Sequence, residues 1–330
     1  MTNIPFLRPP EVIRRSYSDD RPALAASNWI TLWEQQAIDV GLVGVPLAKA
    51  ARNYAGVDGA PNALRKLLRE FTTYDIERDA DLRSLRVSHL GDVELFATDV
   101  ARSQAQVEES LTTIFAFQPR FLLVVLGGDQ SVTYASFKAL RRARQLRTGL
   151  VYFGSYYALR ALPEDVGDSR PPRAAIPDDS ALRALLEEGL LAGRNLAQIG
   201  LHGFWGSREE KLFAQAQSVS VVTARESQDS GIDRATTGAL EVAGQATEAI
   251  YVAINLNVLD LPYAPASQDA QFGGLRASEL LSAAYSLGLD PRVQAIDLVG
   301  IDAYRDQVGL TVDAACAVLL NFLAGVNARS

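Results

Sequence analysis

The sequence predicts an α/β protein of three layers, α-β-α, with helices on both faces of a mostly parallel sheet of about eight strands. Three observations carry this prediction. Short runs of β-type apolar residues recur along the chain, helix-type segments lie between most of them, and the runs are nearly all apolar instead of alternating. Strands that read this way belong to sheets covered on both faces, because a strand with one wet face alternates.

Taken in order, residues 1–37 form an N-terminal arm rich in Pro, Asp, Ser and Arg, without sustained period and with Trp29 and Trp33 as its anchors. Residues 38–330 read as a single α/β domain with no linker. Its strand-type runs are IDVGLVGVP (38–46), LRVSHLG (85–91), RFLLVVLGG (120–128), GLVYFG (149–154), LAQIGLHG (196–203), VSVVTA (219–224), AIYVAINLNVL (249–259) and VQAIDLVGID (293–302). In PNALRKLLREF, Leu64, Leu67, Leu68 and Phe71 share one helical face, with Arg65, Lys66, Arg69 and Glu70 on the other. DDSALRALLEEGLLAG repeats the pattern, with Asp179 or Ser180 as cap and Gly193 as stop.

Composition narrows the function. The 330 residues are 48% hydrophobic and 22% charged, with a net charge of −7 spread without long runs of one sign, which gives no electrostatic reason to bind nucleic acid or an anionic membrane. Cys316, the single cysteine, lies in an apolar helical run, so neither a disulfide framework nor a thiolate metal cluster is expected. The first residues, MTNIPFLRPPEVIRR, lack the apolar core of a signal peptide, and cytoplasm is the expected compartment.

Open parallel sheets bind ligands beyond the carboxyl ends of their strands. Here those ends read GGDQS (127–131), GSYYA (154–158), HGFW (202–205), NLNVLD (255–260) and GID (300–302). Each alone has a bland reading, such as a Gly-Gly turn followed by an Asp that caps a helix.

Their order is more specific. GVPLAKAARNYAGVDGAPNALRKLL, HLGDVE, VVLGGDQS, LVYFGSYYALR, QIGLHG, VAINLNVLDLPYAPASQDAQFGGL and AIDLVGID follow one another in a way that resembles the ureohydrolases (arginase, agmatinase, formiminoglutamase and related amidinohydrolases) from about residue 38 to 325. The resemblance implies an arginase-like fold and two divalent ions, manganese or nickel, that activate a hydroxide toward a guanidinium-type carbon. The six family ligands fall on Gln130, Gly154, Tyr156, Ala158, Asn255 and Asn257, none of the family's ligand type, and the late family Glu falls on Gly300. The family's active-site His belongs near SRPPRAAIPDD (169–179), where this chain has none.

The substitutions are coherent with one another. Asn255, Asn257 and Gln130 keep shape and hydrogen-bonding capacity without charge, and Tyr156 brings a ring that Gly154 and Ala158 leave room for. No catalytic residue and no metal are therefore expected in this chain, and a residual pocket is expected around Asp129, His202, Trp205, Asp260 and Gly300. His89 and His202, the only histidines, read as structural. What the resemblance then implies is a catalytically inactive homologue: a non-catalytic subunit in a trimeric or hexameric hetero-oligomer with a catalytic paralogue that binds Mn or Ni, as in two-subunit amidinohydrolases such as metformin hydrolase. The alternative is a stand-alone binding or sensor protein for a guanidino or amine ligand, with Tyr156, Tyr157, Phe204 and Trp205 as a cation-binding wall.

Overall fold

All eight apolar runs form strands. The computed structural model describes residues 4–11, 25–50, 56–96, 98–117, 121–162 and 175–329. Among these, the chain opens with β1 (Leu7–Arg8), α1 (Ala26–Trp29), β2 (Thr31–Leu32), β3 (Val40–Gly44) and α2 (Ala60–Leu67). A small β4 (Tyr74–Asp75) and β5 (Ala80–Asp81) hairpin precedes β6 (Val87–Val93), α3 (Val100–Phe117), β7 (Leu122–Leu126), α4 (Ser131–Arg144) and β8 (Thr148–Phe153). Then follow α5 (Ala181–Glu187), β9 (Leu196–Leu201), α6 (Arg208–Ala216), β10 (Ser220–Thr223), α7 (Ala224–Ser230), α8 (Ile232–Gly244), β11 (Ala249–Asn255), α9 (Ala277–Leu289), β12 (Val293–Val299) and α10 (Leu310–Asn327).

The main sheet runs β1-β6-β3-β7-β12-β11-β8-β9-β10, with β2 also on β6. Its eight long strands pair in parallel, and only β1 runs the other way. The chain leaves β7 for β8 and later returns to lay β11 and β12 between them, so the carboxyl ends of β7, β12, β11 and β8 stand side by side at the centre. That is the switch point at which such sheets bind ligands. Register fixes the alignment: Asn255 pairs with Val299, and Phe153 with Ile254.

Alternate residues feed two cores. Val40, Leu42, Val151, Phe153, Val252 and Ile254 face the layer of α2, α8, α9 and α10, while Val43, Leu123, Leu150, Tyr152 and Tyr251 face that of α3, α4 and α5. The apolar α10 lies against α9, so closely that a Cβ on Gly325 would stand 2.8 Å from the Gly288 Cα. Cys316 is buried within α10, and burial pushes its thiol well up.

Local structure departs from the sequence reading in two places. The segment begun at Ala181 stops at Glu187, not at Gly193, because Gly189 takes the left-handed conformation (φ 67°) and the amides of Leu190 and Leu191 turn back onto the Leu185 carbonyl. Arg65, expected on the polar face of α2, is buried and paired with Asp92. In the described part of the arm, β1 and β2 join the edge of β6, the Trp29 indole donates to the Leu85 carbonyl at 3.1 Å, and the Trp33 ring meets Phe117 edge-on.

At the end of α4, exposed Gln145 holds the left-handed position (φ 53°) that glycine occupies at lower cost. Gln145→Gly is expected to raise stability by about 1 kcal/mol in urea unfolding, and a loss of stability would contradict this assignment of the cap.

Candidate functional site

The carboxyl ends of the four central strands carry a closed network of polar side chains. After β7, Gly127 and Gly128 have positive φ (82° and 96°), which lets the chain turn tightly into α4. Asp129 then serves the turn: its Oδ1 accepts from the Ser131 amide and hydroxyl, and its Oδ2 from the Ala50 amide. Gln130 donates from Nε2 to Thr133 Oγ1 at 2.7 Å and accepts at Oε1 from Asn255 Nδ2 at 3.0 Å. Thr133 Oγ1 and the Tyr251 hydroxyl both donate to Asp297 Oδ2 at 2.8 Å. On the other side, Asn255 Oδ1 accepts from the Asn257 amide at 3.1 Å, and Asn257 Oδ1 from the Ser155 amide at 3.0 Å. All of these side chains are buried.

The structure thus brings Gln130, Asn255 and Asn257 together, with Gly154 beside them. Tyr156 and Ala158 lie on the segment that leaves β8. Ala158 has a left-handed backbone (φ 52°), and its carbonyl accepts from the amides of Leu182 and Arg183 at the start of α5. Gly300 also has positive φ (76°), and a side chain there would overlap Asn255 Oδ1.

Above this floor lies a cleft lined by Tyr156, Arg160, Asp178, Asp179, Trp205, Glu210 and Asp269, with about 40 Å³ of room. That holds roughly three waters. The segment Asp178–Ser180 contributes the first acids; of the two residues expected to cap α5, Ser180 holds the N-cap position, without a side-chain cap bond, and Asp179 pairs with Arg160 at 3.1 Å. Asp178 accepts from Gln268 Nε2 at 2.7 Å and from the Asp179 amide at 2.8 Å. Burial, with Asp129 and Asp179 nearby, nevertheless pushes its carboxyl up to about 7. Glu210 closes the capping box of α6 with Ser207, and burial raises it as well. Tyr156 is 7% exposed, and burial raises its phenol well above the usual range.

Of the five residues expected to line a residual pocket, Trp205 lines this cleft. Asp129 serves the turn before α4, and Asp260 Oδ1 accepts from the amides of Leu261 and Gly273 in a second turn. His202 is not among the residues that line the cleft: Nδ1 lies 2.7 Å from the Gly200 carbonyl, which makes it the protonated nitrogen, and Nε2 is buried without a partner. Phe204, expected in a cation-binding wall, is fully exposed, whereas Tyr157 is half-buried. His89 is buried in β6 with Nδ1 unpartnered, so it is not a hydrogen-bond-satisfied structural histidine; burial and then Arg65 press its pKa down to about 3. The loop expected to lack the family His lies mostly within 163–174, outside the described residues.

The chain matches the arginase family over residues 38–325. A formimidoylglutamase of Halalkalibacterium halodurans is 34% identical over 307 residues, 93% of each chain. The crystal structure of formimidoylglutamase from Bacillus subtilis superposes with a TM-score of 0.87 at 27% identity, covering 96% of both chains. A Trypanosoma cruzi formiminoglutamase structure with two Mn2+ shares the fold at a TM-score of 0.80 and 19% identity, over 91% of this chain and 98% of that one.

These relatives overturn the expectation of a catalytically inactive subunit in a hetero-oligomer, and the stand-alone sensor with it. The proteins that align with this chain almost end to end are named as enzymes. The expected arginase-like α/β architecture agrees with them. A metal pair is a separate matter. Among the described residues no three His, Cys, Asp or Glu side chains are grouped to hold an ion. At the strand ends, Asn257 Nδ2 is a buried donor without a partner, the wrong polarity to face a cation. The residues present do not fit the two-manganese arrangement.

Proposed function

The chain belongs to the arginase family, and from that membership we propose that it hydrolyses a C–N bond in a small amidine-bearing substrate of the formimidoyl or guanidino amino acid class. The observation that carries this reading is the cleft above the switch point, with four carboxylates, one arginine and two aromatic rings. A planar amidinium presents paired N–H donors that suit a carboxylate, and its flat cationic face suits Tyr156 or Trp205. Arg160, exposed at the rim, supplies a partner for the substrate's own carboxylate. With only about 40 Å³ of room, the cleft has to widen on binding, and Arg160 and Trp205 are the lining groups exposed enough to swing away.

The proton transfers fall to Asp178. A carboxyl that titrates near 7 is partly ionised at neutral pH, so it takes a proton from the attacking water and returns it to the departing nitrogen. No step is assigned to a metal.

The test pairs calorimetry with product analysis, using N-formimidoyl-L-glutamate and 3-guanidinopropionate. Saturable binding with slow turnover is expected, and Asp178→Asn should lower turnover by roughly 100-fold or more. Absence of both binding and turnover at 10 mM (about 100 times an ordinary KM) would sink the reading.

A further inference from the structure

The strand-end network is notable for what fills it. Tyr152 and residue 154 share one face of β8, and a Cβ built on Gly154 overlaps the Tyr152 hydroxyl and the carbon that bears it. The Gly154 backbone is not among the positive-φ positions, so dihedral strain does not explain the glycine. The space that a side chain at 154 would enter is already occupied by the Tyr152 phenol, which is fully buried with its hydroxyl unpartnered. The same holds across the site: Asn255 Oδ1 occupies the side-chain space of Gly300, where positive φ adds a second obstacle. Between these two blocks run the neutral links from Ser155 through Asn257, Asn255 and Gln130 to Thr133.

We propose that these strand ends, where the family resemblance places its six metal-ligand positions, are in this chain a plug of uncharged hydrogen-bonded side chains that admits no divalent ion, with the Tyr152 phenol as its closing element. This rests on packing and hydrogen bonding, and is independent of the substrate assigned to the cleft above. The plug holds its neighbours in place without a metal. Supplying carboxylates at 154, 255 and 257 does not open the site while Tyr152 stands.

Two measurements test it. The purified full-length protein, equilibrated with 1 mM Mn2+ or Ni2+ (concentrations far above a structural-site affinity) and then desalted, is expected to retain neither ion and to unfold at the same temperature with or without EDTA. One or two ions per chain, together with a lower Tm in EDTA, would overturn the proposal. Independently, Gly154→Ala is expected to lower Tm by roughly 3–6 °C in the native background and by little in a Tyr152→Leu background. Equal losses in both backgrounds would show that the phenol does not close the plug. Should Gly154→Ala alone prove insoluble, recovery of soluble protein by Tyr152→Leu supports the proposal and failure to recover counts against it.

Discussion

Arg65→Met is expected to destabilise the fold by about 3–5 kcal/mol, because it strands a carboxylate inside the protein. The Arg65 and Asp92 side chains are 1% and 4% exposed, and they meet through two parallel bonds: Nη2 to Oδ1 at 2.6 Å and Nη1 to Oδ2 at 3.0 Å. Without the guanidinium, Asp92 either stays charged in an apolar setting or takes up a proton, and both cost free energy. The pair also sits tightly: a Cβ on Gly44 would overlap Asp92 Oδ1 and stand 3.0 Å from the Arg65 Nη2. The double variant Arg65→Met with Asp92→Leu is expected to recover much of the loss, since apolar replacement of both partners removes the uncompensated charge. Urea unfolding of the three proteins checks this, and a single variant within about 1 kcal/mol of native would refute it.

The second large effect is a dependence on pH. Burial raises the Asp297 carboxyl to about 7, outweighing the hydrogen bonds from Thr133 and Tyr251 that favour its ionised form. In the unfolded chain it titrates near 3.8, so between these values the folded state keeps a proton that the unfolded state has released. Stability therefore falls as pH rises from about 4 through 7, and that contribution is gone above 7. Asn at 297 offers the same two donors a neutral acceptor. Asp297→Asn is expected to equal native near pH 4 and to exceed it by about 2–4 kcal/mol at pH 8, in paired denaturant titrations. Asp178 is raised in the same direction, so a shallower slope persists in the variant. Identical slopes for the two proteins would mean that Asp297 is not the group responsible.

The eight long strands were legible because strands covered on both faces leave near-continuous apolar runs. The two-residue β1 and β2 were not, since two residues carry no period. Arg65 was misplaced for a related reason: periodicity reports hydrophobicity, and cannot see that a charge on α2 has a partner waiting at the end of β6. In the site, Gln130, Asn255 and Asn257 could be placed from the order of strand ends, and they are joined by hydrogen bonds in the fold. The cleft could not. Its acids come from residues 178–179, 210 and 269, segments that each look like ordinary turns or caps and converge only when the loops after β8, β9 and β11 fold over the same strand ends.

The contact between Gly288 and Gly325 has a mechanical consequence for that cleft. Where Gly288 meets Gly325 the two helices touch backbone to backbone, and the apolar side chains on either side of that crossing share one close-packed core, so α9 and α10 resist moving apart. β12 is threaded between them in sequence, and Gly300 at its tip is fastened to the Gly128 carbonyl. One wall of the site is thus an anvil. Adaptation to a bound molecule has to come from the opposite jaw, the segments around Arg160 and Trp205, where the side chains still reach water.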